Sequence, residues 1–218
     1  MAKTKIGILI SGRGSNLKSL IDAVAAEDFP AEIALVISSK PKAPGLRHAA
    51  KAGIPQTTID HRDFQTREDF DAALDAALHM KDVGYVCLAG FMRMLSDKFV
   101  DDWRGKLLNI HPSLLPAFRG LHVQERMLDS GVKIAGCTVH FVTPEMDAGP
   151  IIGQAATPVL PGDTIETLSA RILELEHKLY PRCLRLIVEG KARISGAVVA
   201  YNTGITTSGN LINPPASD

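Results

Sequence analysis

The sequence predicts an α/β protein in three layers, a sheet between helices that is parallel in its N-terminal part and mixed in its C-terminal part. Three observations predict it. Short β-branched runs alternate with helix-like stretches through about residue 90, a glycine-rich turn follows the first run, and a long one-sided apolar repeat begins near Thr164.

The alternation starts with KIGILI as a strand, SNLKSLIDAVAAE as a helix and AEIALVIS as a strand. A helix near Gly45 to Ala52 and a strand in IPQTTI come next. TREDFDAALDAALHM follows as a helix that Thr66 can cap, because its hydroxyl can accept an orphan first-turn N–H. VGYVCLAG is apolar throughout, which suits a strand covered on both faces.

Beyond Trp103 come LLNI, a proline-framed loop HPSLLPAFRG, a helix around Val123 to Asp129, and strands in KIAGCTVHFV and IIGQAATPVL. From Thr164 a long helix places Ile165, Leu168, Ile172, Leu175 and Leu179 on one face. A kink is expected near Pro181, which lacks an N–H and crowds the carbonyl four residues back. The pattern is a Rossmann-like three-layer αβα arrangement. We read residues 1–195 as a single domain, with a phosphate-binding half at 1–103 and a catalytic half at 104–195, followed by an irregular tail at 196–218.

Composition narrows the function. Lys plus Arg and Asp plus Glu are 24 each, so no whole-protein field favours nucleic acid or an anionic membrane, and any anion must be met by a local site. Cys87, Cys137 and Cys183 are odd in number and set among apolar neighbours, as reduced core thiols of a cytoplasmic protein would be. The apolar run after MAKTK is too short for a signal-peptide core.

In ILISGRGSNL, Gly12 and Gly14 sit at a strand-to-helix junction, where the N–H groups of Gly14, Ser15 and Asn16 and the helix dipole can hold a phosphate monoester. Leu17 occupies the third glycine position of a dinucleotide fingerprint, and the second strand ends in Ser38, Ser39 and Lys40 rather than an acidic ribose ligand. The plainer reading is a tight turn with Ser15 as N-cap and no ligand.

In LLNIHPSLLP, Asn109 and His111 are two apart on a strand and project from one face. Pro112 holds His111 extended and Pro116 stiffens the loop beyond. Attack of an amine on a carbonyl carbon turns the carbonyl oxygen into an oxyanion and leaves the nitrogen with a proton to shed. The Asn109 carboxamide and an N–H of His111 can hydrogen-bond that oxyanion, a contribution of about 3 kcal/mol per donor. Asp147, in EMDAGP, can favour the charged imidazole and, through a water, relay the proton. Taken singly, each residue also has a structural account, as strand-end amide, hydrogen-bonded imidazole and turn former. The seven histidines show no metal-ligand spacing.

Taken together, SGRGSNL, LAGFMRMLS, NIHPSLLP, GCTVHFVTPEMDAGPII and ELEHKLYP resemble the folate-dependent glycinamide ribonucleotide (phosphoribosylglycinamide) formyltransferases over roughly residues 5 to 190. The resemblance implies transfer of the formyl group of 10-formyltetrahydrofolate, as co-substrate and without a metal, to the amine of 5'-phosphoribosylglycinamide in purine (IMP) biosynthesis. It implies a catalytic trio of Asn109, His111 and Asp147. It places the acceptor's phosphate on Gly14, Ser15 and Asn16 and its ribose on Glu176. The folate maps onto Met92, Arg93, Met94 and Leu95, onto His140, Val142, Thr143, Pro144 and Asp147, onto Asn109, and onto Arg67 near its glutamate tail. Considered without the resemblance, FMRML is an amphipathic helix start, and Arg67, Arg93 and Glu176 are surface residues. One position departs from the family: GLHVQER has Gln124 where many relatives carry a second histidine.

The same trio serves relatives that hydrolyse 10-formyltetrahydrofolate or formylate initiator methionyl-tRNA. The hydrolase carries an N-terminal regulatory domain, for which the sequence leaves no room ahead of Lys5. The tRNA enzyme needs positive charge that this neutral chain lacks. A nucleotide-binding regulatory module is disfavoured by the incomplete glycine fingerprint. The expectation is a cytoplasmic enzyme of small molecules, monomer or homodimer, with no nucleic-acid or membrane partner and with 10-formyltetrahydrofolate hydrolysis as its alternative activity.

Overall fold

A computed structural model describes residues 3–202 and the backbone of 212–213. The chain divides into two compact units, Met1–Asn109 and Ile110–Asp218, so the boundary falls inside a strand rather than at 103/104.

The first unit alternates strand and helix as expected: β1 (Thr4–Ile10), α1 (Ser15–Val24), β2 (Ala31–Ser38), α2 (Leu46–Lys51), β3 (Gln56–Thr58), a 3-10 turn at His61–Asp63, α3 (Arg67–His79), β4 (Tyr85–Leu88), α4 (Asp97–Asp102) and the start of β5 (Leu107–His111). The strands are parallel in the order β3-β2-β1-β4-β5. Ile8 and Leu9 point to opposite faces of β1 and are both fully buried, which is why this strand is a continuous apolar run. Thr66 caps α3, its hydroxyl accepting the Asp69 N–H at 3.1 Å.

FMRML does not begin a helix. Residues 91–96 are loop, and α4 starts at Asp97 with Ser96 as N-cap, because the Ser96 hydroxyl accepts the Phe99 N–H at 3.3 Å. The buried carboxylate of Asp71 on α3 fixes the same point by accepting the Ser96 N–H at 2.5 Å. Burial raises the Asp71 carboxyl above its ordinary range.

The second unit continues from β5 through α5 (Val123–Asp129), β6 (Ile134–Phe141), β7 (Ile151–Pro158), α6 (Ile165–Val188) and the antiparallel pair β8 (Ala192–Ser195) and β9 (Val198–Tyr201). Its sheet order is β5-β6-β7-β10, with β7 antiparallel to β6 and to β10 (Ile212–Asn213). A parallel first part followed by antiparallel strands is the mixed sheet expected.

A reciprocal pair of hydrogen bonds between Thr164 and Thr167 starts α6. Leu168, Ile172 and Leu179 are buried as expected and Leu175 is half-buried, but Ile165 is 44% exposed, since the first helical residue precedes the packed turn. Pro181 does not end the helix: Cys183, Leu184, Leu186 and Ile187 beyond it are buried, and their packing holds the turn that lost a hydrogen bond.

The tail from residue 196, expected to be irregular, begins with a strand. Val198–Tyr201 is strand β9, and the Tyr201 hydroxyl donates to the Ile152 carbonyl. The polar composition beyond Tyr201 outweighed the β-branched pair in VVAY. The remainder of 203–218, apart from β10, lies outside the described residues. The three cysteines are buried and, among the described residues, form no disulfide. Among the described residues no helix is long and apolar enough to cross a membrane.

Candidate active site

Strand β5 carries Asn109 and His111 on one face by simple alternation, Asn109 half-buried and His111 6% exposed. The imidazole Nε2 lies 2.9 Å from the Phe118 carbonyl oxygen. A carbonyl only accepts, so Nε2 carries a proton and donates there. Nδ1 faces the Asp147 carboxylate, 3.5 Å from Oδ2.

The loop that supplies Phe118 is tied down by residues that the sequence reading did not single out. The Thr138 hydroxyl on β6 donates to the Ser113 carbonyl at 2.7 Å and accepts the Leu115 N–H at 3.0 Å. The Gln154 side chain on β7 donates to the Leu115 carbonyl at 2.9 Å and to the Thr138 hydroxyl at 3.1 Å. Ser113 closes the loop on itself, its hydroxyl donating to the Ala117 carbonyl at 2.6 Å. Ser113 and Thr138 are fully buried, so these bonds are made out of water, where leaving them unmade would be costly. The peptide bond between Leu115 and Pro116 is cis.

Asp147 sits in the connection between β6 and β7, which is closed at its base by the Phe141 N–H donating to the Pro150 carbonyl at 2.9 Å. Gly149 is required there: a Cβ on it would meet the Phe141 carbonyl oxygen at 1.8 Å. Asp147 itself has φ 51°, a left-handed conformation that Asp tolerates better than most residues. Its Oδ2 accepts the Gly120 N–H at 2.8 Å and its Oδ1 lies 3.9 Å from His140 Nε2. His140 Nδ1 donates to the Phe141 carbonyl at 2.9 Å. Burial pushes the His140 ring below its ordinary value, so near neutral pH it is uncharged and presents Nε2 as an acceptor. The second unit thus gathers His111, Asp147 and His140 around one carboxylate. Val142 and Thr143 are half-buried and Pro144 is exposed along the same connection.

In the first unit the glycine-rich turn has the expected form with one change. Gly14, not Ser15, is the N-cap of α1, at φ 74°, and no side chain caps the helix. A Cβ at Gly14 would lie 2.6 Å from the Cα of Gly45, a glycine whose role the sequence did not reveal. Ser15 opens the helix, Asn16 is buried, and the first turn has no acidic residue to repel an anion.

Met92, Arg93 and Met94 are exposed and Leu95 is buried in the loop after β4, whose Met92 N–H donates to the Ser11 hydroxyl at 2.9 Å. Arg67 is exposed at the start of α3. In the second unit Glu176 is buried on α6, not on the surface. Burial, with the Glu176 charge adding to it, raises the Cys137 thiol far above its ordinary value. Gln124 is half-buried on α5. Among the described residues no cluster of three His, Cys, Asp or Glu side chains is placed to hold a metal ion.

Comparison with known proteins places these segments in a family. A family model described as formyl transferase matches residues 4–184. The trifunctional purine biosynthetic protein adenosine-3 of Gallus gallus is 50% identical over 195 residues, which is 89% of this chain but 19% of that protein, so the chain spans about a fifth of its length. The phosphoribosylglycinamide formyltransferase of Haemophilus influenzae is 43% identical over 190 residues, covering 87% of this chain and 90% of that protein. Among solved structures, glycinamide ribonucleotide transformylase 1 from Symbiobacterium toebii is similar at a TM-score of 0.89 and 47% identity, over 91% of this chain and 94% of that one. The family match runs unbroken from the glycine-rich turn through β5 and the Asp147 connection into α6, and this chain belongs to the formyl transferase family.

Proposed function

We propose that this chain transfers the formyl group of 10-formyltetrahydrofolate to the amine of 5'-phosphoribosylglycinamide, giving phosphoribosyl-N-formylglycinamide and tetrahydrofolate. The observation that carries the reading is the His111 imidazole held between the Phe118 carbonyl and the Asp147 carboxylate, two residues along β5 from Asn109.

The chemistry follows from those groups. As the amine attacks, charge gathers on the formyl oxygen, and the Asn109 carboxamide donates to it. With both ring nitrogens carrying a proton, His111 donates through Nδ1, because Nε2 is engaged by Phe118 and the 3.5 Å gap to Asp147 is looser than a good hydrogen bond. The nitrogen's proton passes toward Asp147, whose Oδ1 lies 3.9 Å from Nε2 of the uncharged His140. Collapse returns a proton to the departing folate nitrogen.

The acceptor phosphate is assigned to the N–H groups at Gly14, Ser15 and Asn16, and the ribose to Glu176. The folate is assigned to Arg67 and Met92–Leu95 in the first unit and to His140, Val142, Thr143, Pro144 and Asp147 in the second. The reading carries with it a cytoplasmic setting, small-molecule substrates and either a monomer or a homodimer. Following loss of the formyl donor with and without phosphoribosylglycinamide tests it. Turnover only with the amine is expected. Equal turnover in its absence would replace transfer by hydrolysis.

A further inference from the structure

The Phe118 carbonyl that accepts the His111 Nε2 proton belongs to a stretch of uncommon backbone. Within residues 118–122, Phe118 at φ 56°, Gly120 at φ 83° and His122 at φ 55° are all left-handed. Glycine reaches that region freely, whereas the Cβ of an aromatic residue there crowds the carbonyl oxygen that follows. A bulky residue stays in it only where the surroundings over-determine the conformation.

Backbone anchors stand on either side of Phe118. The Ser113 hydroxyl donates to the Ala117 carbonyl at 2.6 Å, and the Asp147 carboxylate accepts the Gly120 N–H at 2.8 Å. Arg126 on α5 supplies the contacts between them. Its Nη1 donates to the Arg119 carbonyl at 2.6 Å and stands 3.5 Å from the Leu121 carbonyl, while its guanidinium carbon lies 5.7 Å from the centre of the Phe118 ring. One planar cation thus meets the ring and the backbone of the left-handed stretch together, which a flat guanidinium can do and a compact ammonium cannot.

Rotation about φ of Phe118 swings its carbonyl, and with it the partner of His111 Nε2. We infer that Arg126 is a positioning residue for formyl transfer: by holding the Phe118 ring and the Arg119 carbonyl it keeps Phe118 left-handed, and so keeps the His111 imidazole aimed. The inference rests on the role proposed for His111, and its test reads the geometry as well as the rate. A purely structural tie between the loop and α5 would cost stability on removal and leave the imidazole as it was.

Arg126 is exposed, so Arg126→Ala should fold normally. Two-bond proton–nitrogen NMR correlations of the unliganded protein, read at a pH where the His111 ring is uncharged, are expected to show Nε2 as the protonated nitrogen in the native chain. In Arg126→Ala the ring should shift toward the tautomer protonated at Nδ1, the nitrogen that faces Asp147. Turnover is expected to fall about tenfold, with the KM of each substrate changed less than about twofold and Tm nearly unaltered. Phe118→Gly isolates the cause, because glycine takes φ 56° without the Cβ clash. Adding Arg126→Ala to Phe118→Gly should therefore lower kcat by less than about threefold. An unchanged tautomer or an unchanged kcat in Arg126→Ala overturns the inference, and so does an equal loss of kcat in the native and Phe118→Gly backgrounds. If the tautomer shifts as expected but no protein, native included, transfers a formyl group, Arg126 still positions His111 and it is the proposed function that fails.

Discussion

The Gly120 N–H donates to the carboxylate of Asp147 at 2.8 Å, joining the proline-framed loop after β5 to the connection between β6 and β7. One oxygen thereby acts twice, since the same Oδ2 stands 3.5 Å from His111 Nδ1. The position of the charge is set by backbone, and its effect on the imidazole by its sign.

Asp147→Asn separates the two. An asparagine oxygen can still accept from Gly120, so the connection should keep its shape, while the charge beside His111 and the acceptor proposed for the amine's proton are lost. We expect kcat to fall by about 10²-fold to 10³-fold, with donor KM changed less than about threefold. Near-native kcat would remove Asp147 from the proton path. A donor KM that rose as much as kcat fell would make its role binding.

Thr138 is the buried hub under the proline-framed loop after β5, a donor to Ser113 and an acceptor from Leu115 and Gln154. Thr138→Val keeps the shape and removes every one of these bonds, so we expect unfolding free energy to drop by about 2 kcal/mol, with Thr138→Ser recovering most of it. Because the loop carries the Phe118 carbonyl that orients His111, kcat should fall as well, even at temperatures where the variant is fully folded. Full activity in folded Thr138→Val would show that β5 alone positions the imidazole.

Thr138 and Gln154 also show where the sequence stopped being legible. The strands bearing them were readable from alternation, and so were β5, α5 and the Asp147 turn, because periodicity and proline and glycine spacing are local properties of the chain. The partnership of Thr138 with Ser113 and Leu115 joins residues 25 and 23 apart along the chain and leaves no local pattern. Gly45 was missed for the same reason, since its smallness answers to Gly14 and not to its own neighbours. Loop 91–96 was missed because an apolar and basic string reads equally as an amphipathic helix until Asp71 is seen to hold Ser96. Glu176 reads as a surface residue because a lone carboxylate on a helix gives no sign of burial.

Two groups give stability a predictable pH dependence. Burial holds the His140 ring below its ordinary value of 6.5, so below that pH the unfolded chain takes up a proton that the folded protein resists. The His140 contribution to stability should therefore be level above about pH 6.5 and decline beneath it, and His140→Asn, which can still donate to the Phe141 carbonyl, should remove that contribution to the slope. The Arg62 guanidinium lowers the Asp60 carboxyl from 3.8 to about 2, so the stabilisation it brings is complete above 3.8 and lost as pH falls toward 2. Asp60→Asn should make that second limb shallower and leave the first unchanged, with the Asp163 carboxyl, lowered by Arg171, still contributing to it. Denaturant midpoints measured across both windows check this, and an unaltered slope in either variant would count against the group named.

The phosphate assignment is tested at the glycine where sterics are tightest. Alanine at Gly14 must hold φ 74° with a side chain, at about 1 kcal/mol or more, and must also displace the start of α2, because its Cβ would lie 2.6 Å from the Gly45 Cα. Both effects turn the N–H groups of Ser15 and Asn16 away from a common point. We expect the acceptor KM to rise at least about tenfold, with donor KM unaltered and protection of the protein by inorganic phosphate against thermal unfolding lost. Asn16→Ala leaves the backbone alone and should raise the acceptor KM less. If Gly14→Ala folds and keeps its acceptor KM, the phosphate is bound elsewhere, and the uncapped N-terminus of α1 is only a turn. If both substrates' KM values rise together, the turn supports the whole fold of the first unit rather than one substrate.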